Sequence, residues 1–136
     1  MMKIRQYLES DRQQLLALWA NTFGDTGPHN QPEFMLNSKL AIDDNIYIAS
    51  NSAELIGTII AGYDGHRGWL YSLAVEQSSR RQGIGRQLVE FAVNKLRAMG
   101  CAKVNLQVRE ENREVISFYR SLGFATEERI SMGRLL

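Results

Sequence analysis

Arg80, Arg81, Gly83, Gly85 and Arg86 have the chemistry of an anion site, set between the apolar run 69–75 and a helical pattern that begins at Ile84. Backbone N–H groups at a helix start lack an intrahelical acceptor, and the helix dipole adds partial positive charge, so a strand, a glycine-bearing bend and a helix in that order can seat a phosphate. Gly83 and Gly85 let a ligand lie against the main chain, and the arginines add full charges. The same residues alone also describe a tight turn with solvated arginines. Asp64 and His66, in Tyr63-Asp-Gly-His-Arg-Gly68, can take up a proton, or are turn-forming and solvent-facing residues. Two other phosphate motifs fail: Arg86-Gln87 stands where a Walker loop needs Lys-Ser/Thr, and Leu88 where a dinucleotide fingerprint needs its third Gly.

The elements that must position these residues follow from periodicity. Lys3 to Leu8 alternates as a first strand, and Ser10-Asp-Arg-Gln13 has the capping-box pattern before a helix through Leu15, Leu18 and Trp19 to Phe23. Gly24-Asp-Thr-Gly-Pro28 ends it, and Pro32 opens a second helix toward Leu40. Asn45–Ser50 and Leu55–Gly62 read as a hairpin, followed by the central strand Trp69–Val75. Ile84 to Met99 traces one face of a long helix stopped by Gly100, with the Lys95 stem along its edge. Lys103–Val108 is a further strand, Glu111 or Asn112 opens a last helix stopped by Gly123, and Phe124–Leu136 reads as a terminal hairpin. The order is βααβββαβαββ, an α/β chain with a mixed sheet, in one domain over residues 1–136.

Arg80-x-x-Gly83-x-Gly85 resembles the pyrophosphate loop of the GNAT superfamily of acetyl-CoA-dependent acyltransferases, Q/R-x-x-G-x-G/A. Asn112, Phe118-Tyr119 and Gly123-Phe124 fall on that family's N-x-x-A-x-x-F/L-Y-x-x-x-G-F segment, with Val115 where Ala is usual. The resemblance implies the GNAT fold, a mostly antiparallel sheet with splayed central parallel strands, and acetyl-CoA as cosubstrate. It implies that Arg80, Arg81, Gln82, Gly83, Ile84, Gly85 and Arg86 hold the pyrophosphate. Leu73, Ala74 and Val75 would pair with pantetheine, the Leu73 N–H meeting the thioester oxygen. Asn112 would hydrogen-bond pantetheine or the neighbouring backbone as well as cap the helix, Phe118 would contact the cofactor, and Tyr119, beside the thioester sulfur, would protonate the leaving thiolate or else be a core aromatic. Some branches carry a Glu on the central strand, where this chain has Trp69. Ribosomal-protein alanine acetyltransferases carry one on the next strand, where it has Gln107, so the proton acceptor falls to Asp64 or His66, directly or through water. The turn before the central strand resembles that of small bacterial YpeA-like acetyltransferases. In this fold His29 and Asn30 lie near the acceptor pocket, or are exposed loop residues.

The composition bounds the rest. At 136 residues, 44% hydrophobic and with net charge +1, the chain can bury a core and carries no field that argues for nucleic acid or membrane. Its one cysteine, Cys101, excludes an internal disulfide and reads as a buried core thiol. No stretch has signal or membrane-span length, which points to a cytoplasmic protein. No His/Cys spacing asks for a metal. The expectation is an N-acetyltransferase acting on a small-molecule or peptide amine by direct attack, as monomer or homodimer. A CoA-binding module or sensor without turnover is the alternative, and nucleotide-phosphate binding a third.

Overall fold

The computed structural model describes residues 1–24 and 27–136. Its elements are β1 (Met2–Gln6), α1 (Arg12–Phe23), α2 (Pro32–Ile42), β2 (Ile46–Asn51), β3 (Glu54–Tyr63), β4 (Gly68–Val75), α3 (Ile84–Ala98), β5 (Val104–Asn105) and α4 (Arg113–Ser121). The chain forms two compact units, Met1–Leu106 and Gln107–Leu136.

In the first unit the strands lie in the order β1-β2-β3-β4-β5. The first four are antiparallel neighbours and β4–β5 is parallel, as tight hairpins followed by a helical crossover require. Both faces of the central strands are buried, which is why β2 and β3 read as nearly continuous apolar runs. On one face Leu15, Leu18 and Trp19 of α1 and Leu36 of α2 pack with Ile46, Ile48 and Ile60. The other face takes α3. Gly57 lets it come close, since a Cβ there would lie 2.9 Å from Leu88 Cδ1. Phe91 meets Tyr47 edge-on at 5.2 Å, and the Lys95 ammonium sits 5.4 Å from the Phe91 ring centre.

Several local expectations need correction. The start of α1 is organised by Asp11, not by a Ser10–Gln13 box. Its carboxylate accepts the Leu8 N–H at 2.8 Å beside a 3-10 turn at Glu9–Asp11, and it pairs with both terminal nitrogens of Arg5 at 2.8 and 2.9 Å. The bend after α1 includes residues 25 and 26, which lie outside the described residues. Cys101 is only partly buried, with its thiol donating to the Lys103 carbonyl at 3.2 Å. The strand expected over Lys103–Val108 reduces to β5, which pairs with β4 at Gly68–Val104 and Trp69–Asn105.

The second unit is built on α4, which ends in a Schellman turn. Gly123, at φ 94°, donates to the Arg120 carbonyl at 3.0 Å, and Phe124 N–H donates to the Tyr119 carbonyl at 3.1 Å. The terminal hairpin is not formed, so the order closes as βααβββαβα. Residues 125–136 are exposed throughout and contain no strand. Ile130, Met132, Leu135 and Leu136 imitate a strand's apolar content, but an isolated two-stranded hairpin is marginal, and Glu127-Glu128-Arg129 and Gly133 interrupt the run.

Candidate active site

The sheet's one irregularity of chemical interest is on β4. Thr58 opposes Ala74 and Ile60 opposes Tyr71, so Ser72 and Leu73 share the place opposite Ile59. Ser72 takes φ 55°, the left-handed region that a residue with a Cβ rarely enters. Its carbonyl accepts the Thr58 hydroxyl at 3.3 Å, and Thr58 Oγ1 accepts the Trp19 indole N–H at 2.8 Å. Both Thr58 and Trp19 are fully buried. Leu73 and Val75 are partly buried and Ala74 is buried, on a stretch of β4 past its last pair with β5.

From Val75 the chain enters the basic bend. The Glu76 carboxylate accepts the Ser78 N–H at 3.0 Å, and Arg80 turns back to donate its Nε–H to the Val75 carbonyl at 3.0 Å, bracing the bend against the strand. Arg81 (φ 64°) and Gly83 (φ 78°) are left-handed, and Gly83 is the N-cap of α3. The first hydrogen bond of α3 is Gln87 N–H to Gly83 carbonyl, at 3.1 Å. Nothing lies within 4 Å of a Cβ placed on Gly83, and Arg81, Gln82 and Arg86 are exposed, so main-chain donors and two guanidinium groups border open space. Ile84 differs: its side chain is core, and only its N–H is available to a ligand.

Alongside the bulge lies a cleft of about 460 Å³ between α2 and β3–β4. Met35 joins the two, since it lines the cleft and its Sδ accepts the Ser72 hydroxyl at 3.6 Å. Trp69 and Tyr71, two apart on β4, share its wall. The Tyr71 ring reaches diagonally over Gly62, where a Cβ would stand 2.9 Å from Tyr71 Oη. Burial, and then Asp43, raise the Tyr71 phenol above its ordinary pKa. Lys39 is buried, with its ammonium 2.7 Å from Asp43 and 2.8 Å from the Ala61 carbonyl.

Asp64 also lines the cleft. Its Oδ1 accepts the backbone N–H groups of His66 and Arg67, each at 2.8 Å. The Arg67 and His66 N–H groups, helped by the Trp69 indole, hold the carboxyl below the usual carboxylate range, which makes it a fixed negative charge and a weak base. His66 is exposed on the same turn.

In the second unit Asn112 is the N-cap of α4, and its side chain makes no capping hydrogen bond. Tyr119 is buried between Phe118 and Phe124, with ring centres 5.0 and 5.5 Å away, both edge-on. Burial pushes its phenol up to about 12, so it stays protonated at any physiological pH. The Gly-Phe pair of the sequence motif thus has a packing role: the Schellman turn carries Phe124 back onto the Tyr119 ring.

Sequence reasoning missed Lys39, Asp43, Gly62, Tyr71, and the Trp19–Thr58 pair. A signal existed for two of them. Gly62 is a glycine inside a β-rich run, which marks close approach, and Tyr71 keeps period two with Trp69. Thr58 is a polar residue in the apolar run 55–62, and only its three-dimensional neighbours give it a task. Among the described residues no group of His, Cys, Asp and Glu side chains gathers as a metal site, and no helix is long and apolar enough to cross a membrane.

The model of the acetyltransferase (GNAT) family matches residues 12–124. Acetyltransferase YE1169 of Yersinia enterocolitica is 36% identical over 136 residues, covering 99% of this chain and 96% of that protein. Acetyltransferase ECA0875 of Pectobacterium atrosepticum is also 36% identical, with the same 99% and 96% coverage. Among solved structures, AAC(6')-Iy in complex with the bisubstrate analog CoA-S-monomethyl-acetylneamine superposes with a TM-score of 0.81 at 21% identity, covering 100% of this chain and 99% of that one. Ard1 from Thermoplasma volcanium gives a TM-score of 0.80 at 21% identity, covering 91% of this chain and 82% of that one. The structural likenesses speak for the fold, and the match over residues 12–124 with relatives alike along nearly their whole length speaks for descent: this chain belongs to the GNAT family of acetyltransferases and is an acyltransferase.

Proposed function

We propose that this enzyme is an acetyl-CoA-dependent N-acetyltransferase that moves the acetyl group directly to a primary amine, with both substrates bound together. The observation that carries the reading is the bulge at Ser72–Leu73, which lies on β4 past its last pair with β5. A main-chain N–H displaced from the regular ladder there is suited to meet a carbonyl oxygen as it gains negative charge. The residues also fit the cosubstrate's anionic end, because the left-handed Gly83, the unsatisfied donors of α3 and the exposed Arg81 and Arg86 border open space.

In this reading the N–H groups of the bend and of residues 84–86, with Arg81 and Arg86, hold the diphosphate. Gln82 and Gly83 leave it room, and Arg80 braces the loop. Leu73, Ala74 and Val75 pair with the pantetheine amides, with Asn112 and Phe118 as further contacts. Acetyl-CoA supplies an activated thioester: one N–C bond forms as one C–S bond breaks, so the amine sheds a proton and the sulfur gains one. The Leu73 N–H stabilises the oxygen, and Tyr119 donates the proton to sulfur. The proton from the amine leaves through water toward the turn that carries Asp64 and His66. The acceptor takes the cleft, where Lys39 is already paired with Asp43, so the Asp64 charge and the faces of Trp69 and Tyr71 favour a cationic amine.

The test is thiol release from acetyl-CoA by the purified protein across a panel of amines. CoA formation that depends on the amine, with the N-acetyl product seen by mass spectrometry, is the expected result. No release with any amine, while CoA still raises the melting temperature, would leave a CoA-binding module instead.

A further inference from the structure

Thr58 has no part in the motifs of this chain, yet it is fully buried and holds the one peptide on which the oxyanion reading depends. An indole N–H can only donate, so the 2.8 Å contact from Trp19 Nε1 occupies a lone pair of Thr58 Oγ1. The hydroxyl proton is thereby left for the Ser72 carbonyl, 3.3 Å away. The polarity of this chain of donors is fixed by its first member.

The Ser72–Leu73 peptide is trans and planar, so its C=O and N–H point in opposite directions. Anchoring the Ser72 oxygen to Thr58 therefore aims the Leu73 N–H away from Thr58. Without the anchor, the φ of 55° at Ser72 is a conformation that costs on the order of 1 kcal/mol or more and would tend to relax. A relaxed bulge would swing the peptide plane and take the N–H with it.

We propose that Thr58, oriented by Trp19, is a positioning residue that sets the direction of the Leu73 N–H and so the strength of oxyanion stabilisation. The inference rests on the acetyl-transfer reading and adds to it a buried side chain that touches no substrate. Losing an oxyanion donor outright slows comparable reactions about 100-fold or more, and a misdirected one should cost about tenfold.

The experiment compares Thr58→Val, Thr58→Ser, and Thr58→Val combined with Trp19→Phe. In the ligand-free protein, the carbonyl 13C resonance of Ser72 should move in Thr58→Val and return in Thr58→Ser. Thr58→Val should lower kcat about tenfold, with KM for acetyl-CoA within about twofold, and Thr58→Ser should restore kcat. Thr58→Val also strands the buried Trp19 N–H, so it should melt lower; Trp19→Phe removes that donor but leaves a cavity, so the double variant should stay slow whether or not its stability recovers. Recovery of turnover with stability in the double variant, or an unmoved Ser72 resonance in Thr58→Val, would overturn the proposal. A wild-type protein that releases no CoA with any amine would instead sink the acetyl-transfer reading, and the resonance would still report whether Thr58 holds the bulge.

Discussion

The Lys39 ammonium lies 2.7 Å from the Asp43 carboxylate one helical turn away and donates to the Ala61 carbonyl of β3 at 2.8 Å, with only 8% of its side chain exposed. A buried cation is tolerated when charge and hydrogen bonds surround it, and here the pairing also ties α2 to β3, the middle strand of the sheet, beside the cleft. Lys39→Met keeps the apolar stem but leaves the Ala61 carbonyl without this donor and Asp43 without its partner. Unfolding in urea should show a loss of about 2 kcal/mol, with the m-value unchanged. An unchanged midpoint would mean that water replaces the ammonium without penalty.

Asp64 sets a second expectation, on the acceptor. Asp64→Asn keeps an oxygen to receive the His66 and Arg67 N–H groups, so the turn should survive, while the charge is lost. KM for a cationic amine should rise about fivefold with KM for acetyl-CoA unchanged, a modest effect because the carboxylate is exposed. Equal KM values for the amine would remove Asp64 from acceptor binding.

The outline of this fold was legible because it rests on local rules. Short apolar β-rich runs marked the middle strands, Gly100 and Gly123 stand at Schellman turns, and the glycine-bearing bend precedes α3 where the periodicity placed it. The bulge was not legible, since Ser72 is no glycine and its left-handed φ is sustained by Thr58, fourteen residues earlier in sequence. Long-range side-chain contacts of this kind leave no period to read. The terminal strands were over-read for the opposite reason: Ile130, Met132 and Leu135 have strand composition, but a strand exists only where a neighbour pairs with it. Lys39 and Asp43 look like an ordinary i,i+4 surface pair, and only the burial of Lys39 shows otherwise.

Gly83 separates backbone geometry from charge in the proposed diphosphate site. Its φ of 78° strains any side chain, although no protein atom would meet the added Cβ. Gly83→Ala should therefore cost about 1 kcal/mol of stability, with CoA affinity reduced modestly. Gly83→Asp adds a carboxylate at the open N-terminus of α3 and should weaken CoA binding at least about tenfold by calorimetry, through repulsion of the diphosphate. Equal affinities for the two variants would show that the anion binds elsewhere.

Tyr119 makes an expectation about pH in two directions. Burial pushes the phenol from about 10 up to about 12, so the proton it is proposed to give to sulfur is held through the whole accessible range, and kcat should not fall between about pH 8 and 10. Tyr119→Phe should lower kcat about 100-fold while CoA affinity stays within about twofold, because only a donor used in the transition state is lost. The same shift is a stability statement. A phenol whose folded pKa is raised contributes stability that is complete below the unfolded value near 10 and is lost as pH climbs toward 12. Tyr7 and Tyr47 are also pushed up to about 12, chiefly by burial, and Tyr71 is raised as well, so Tyr119→Phe should reduce the alkaline loss of stability without abolishing it. Denaturant midpoints measured from pH 8 to pH 11 test this directly. An alkaline slope identical in both proteins would mean that the Tyr119 phenolate reaches water without unfolding, and a kcat equal to that of the wild type would pass the donor role to solvent.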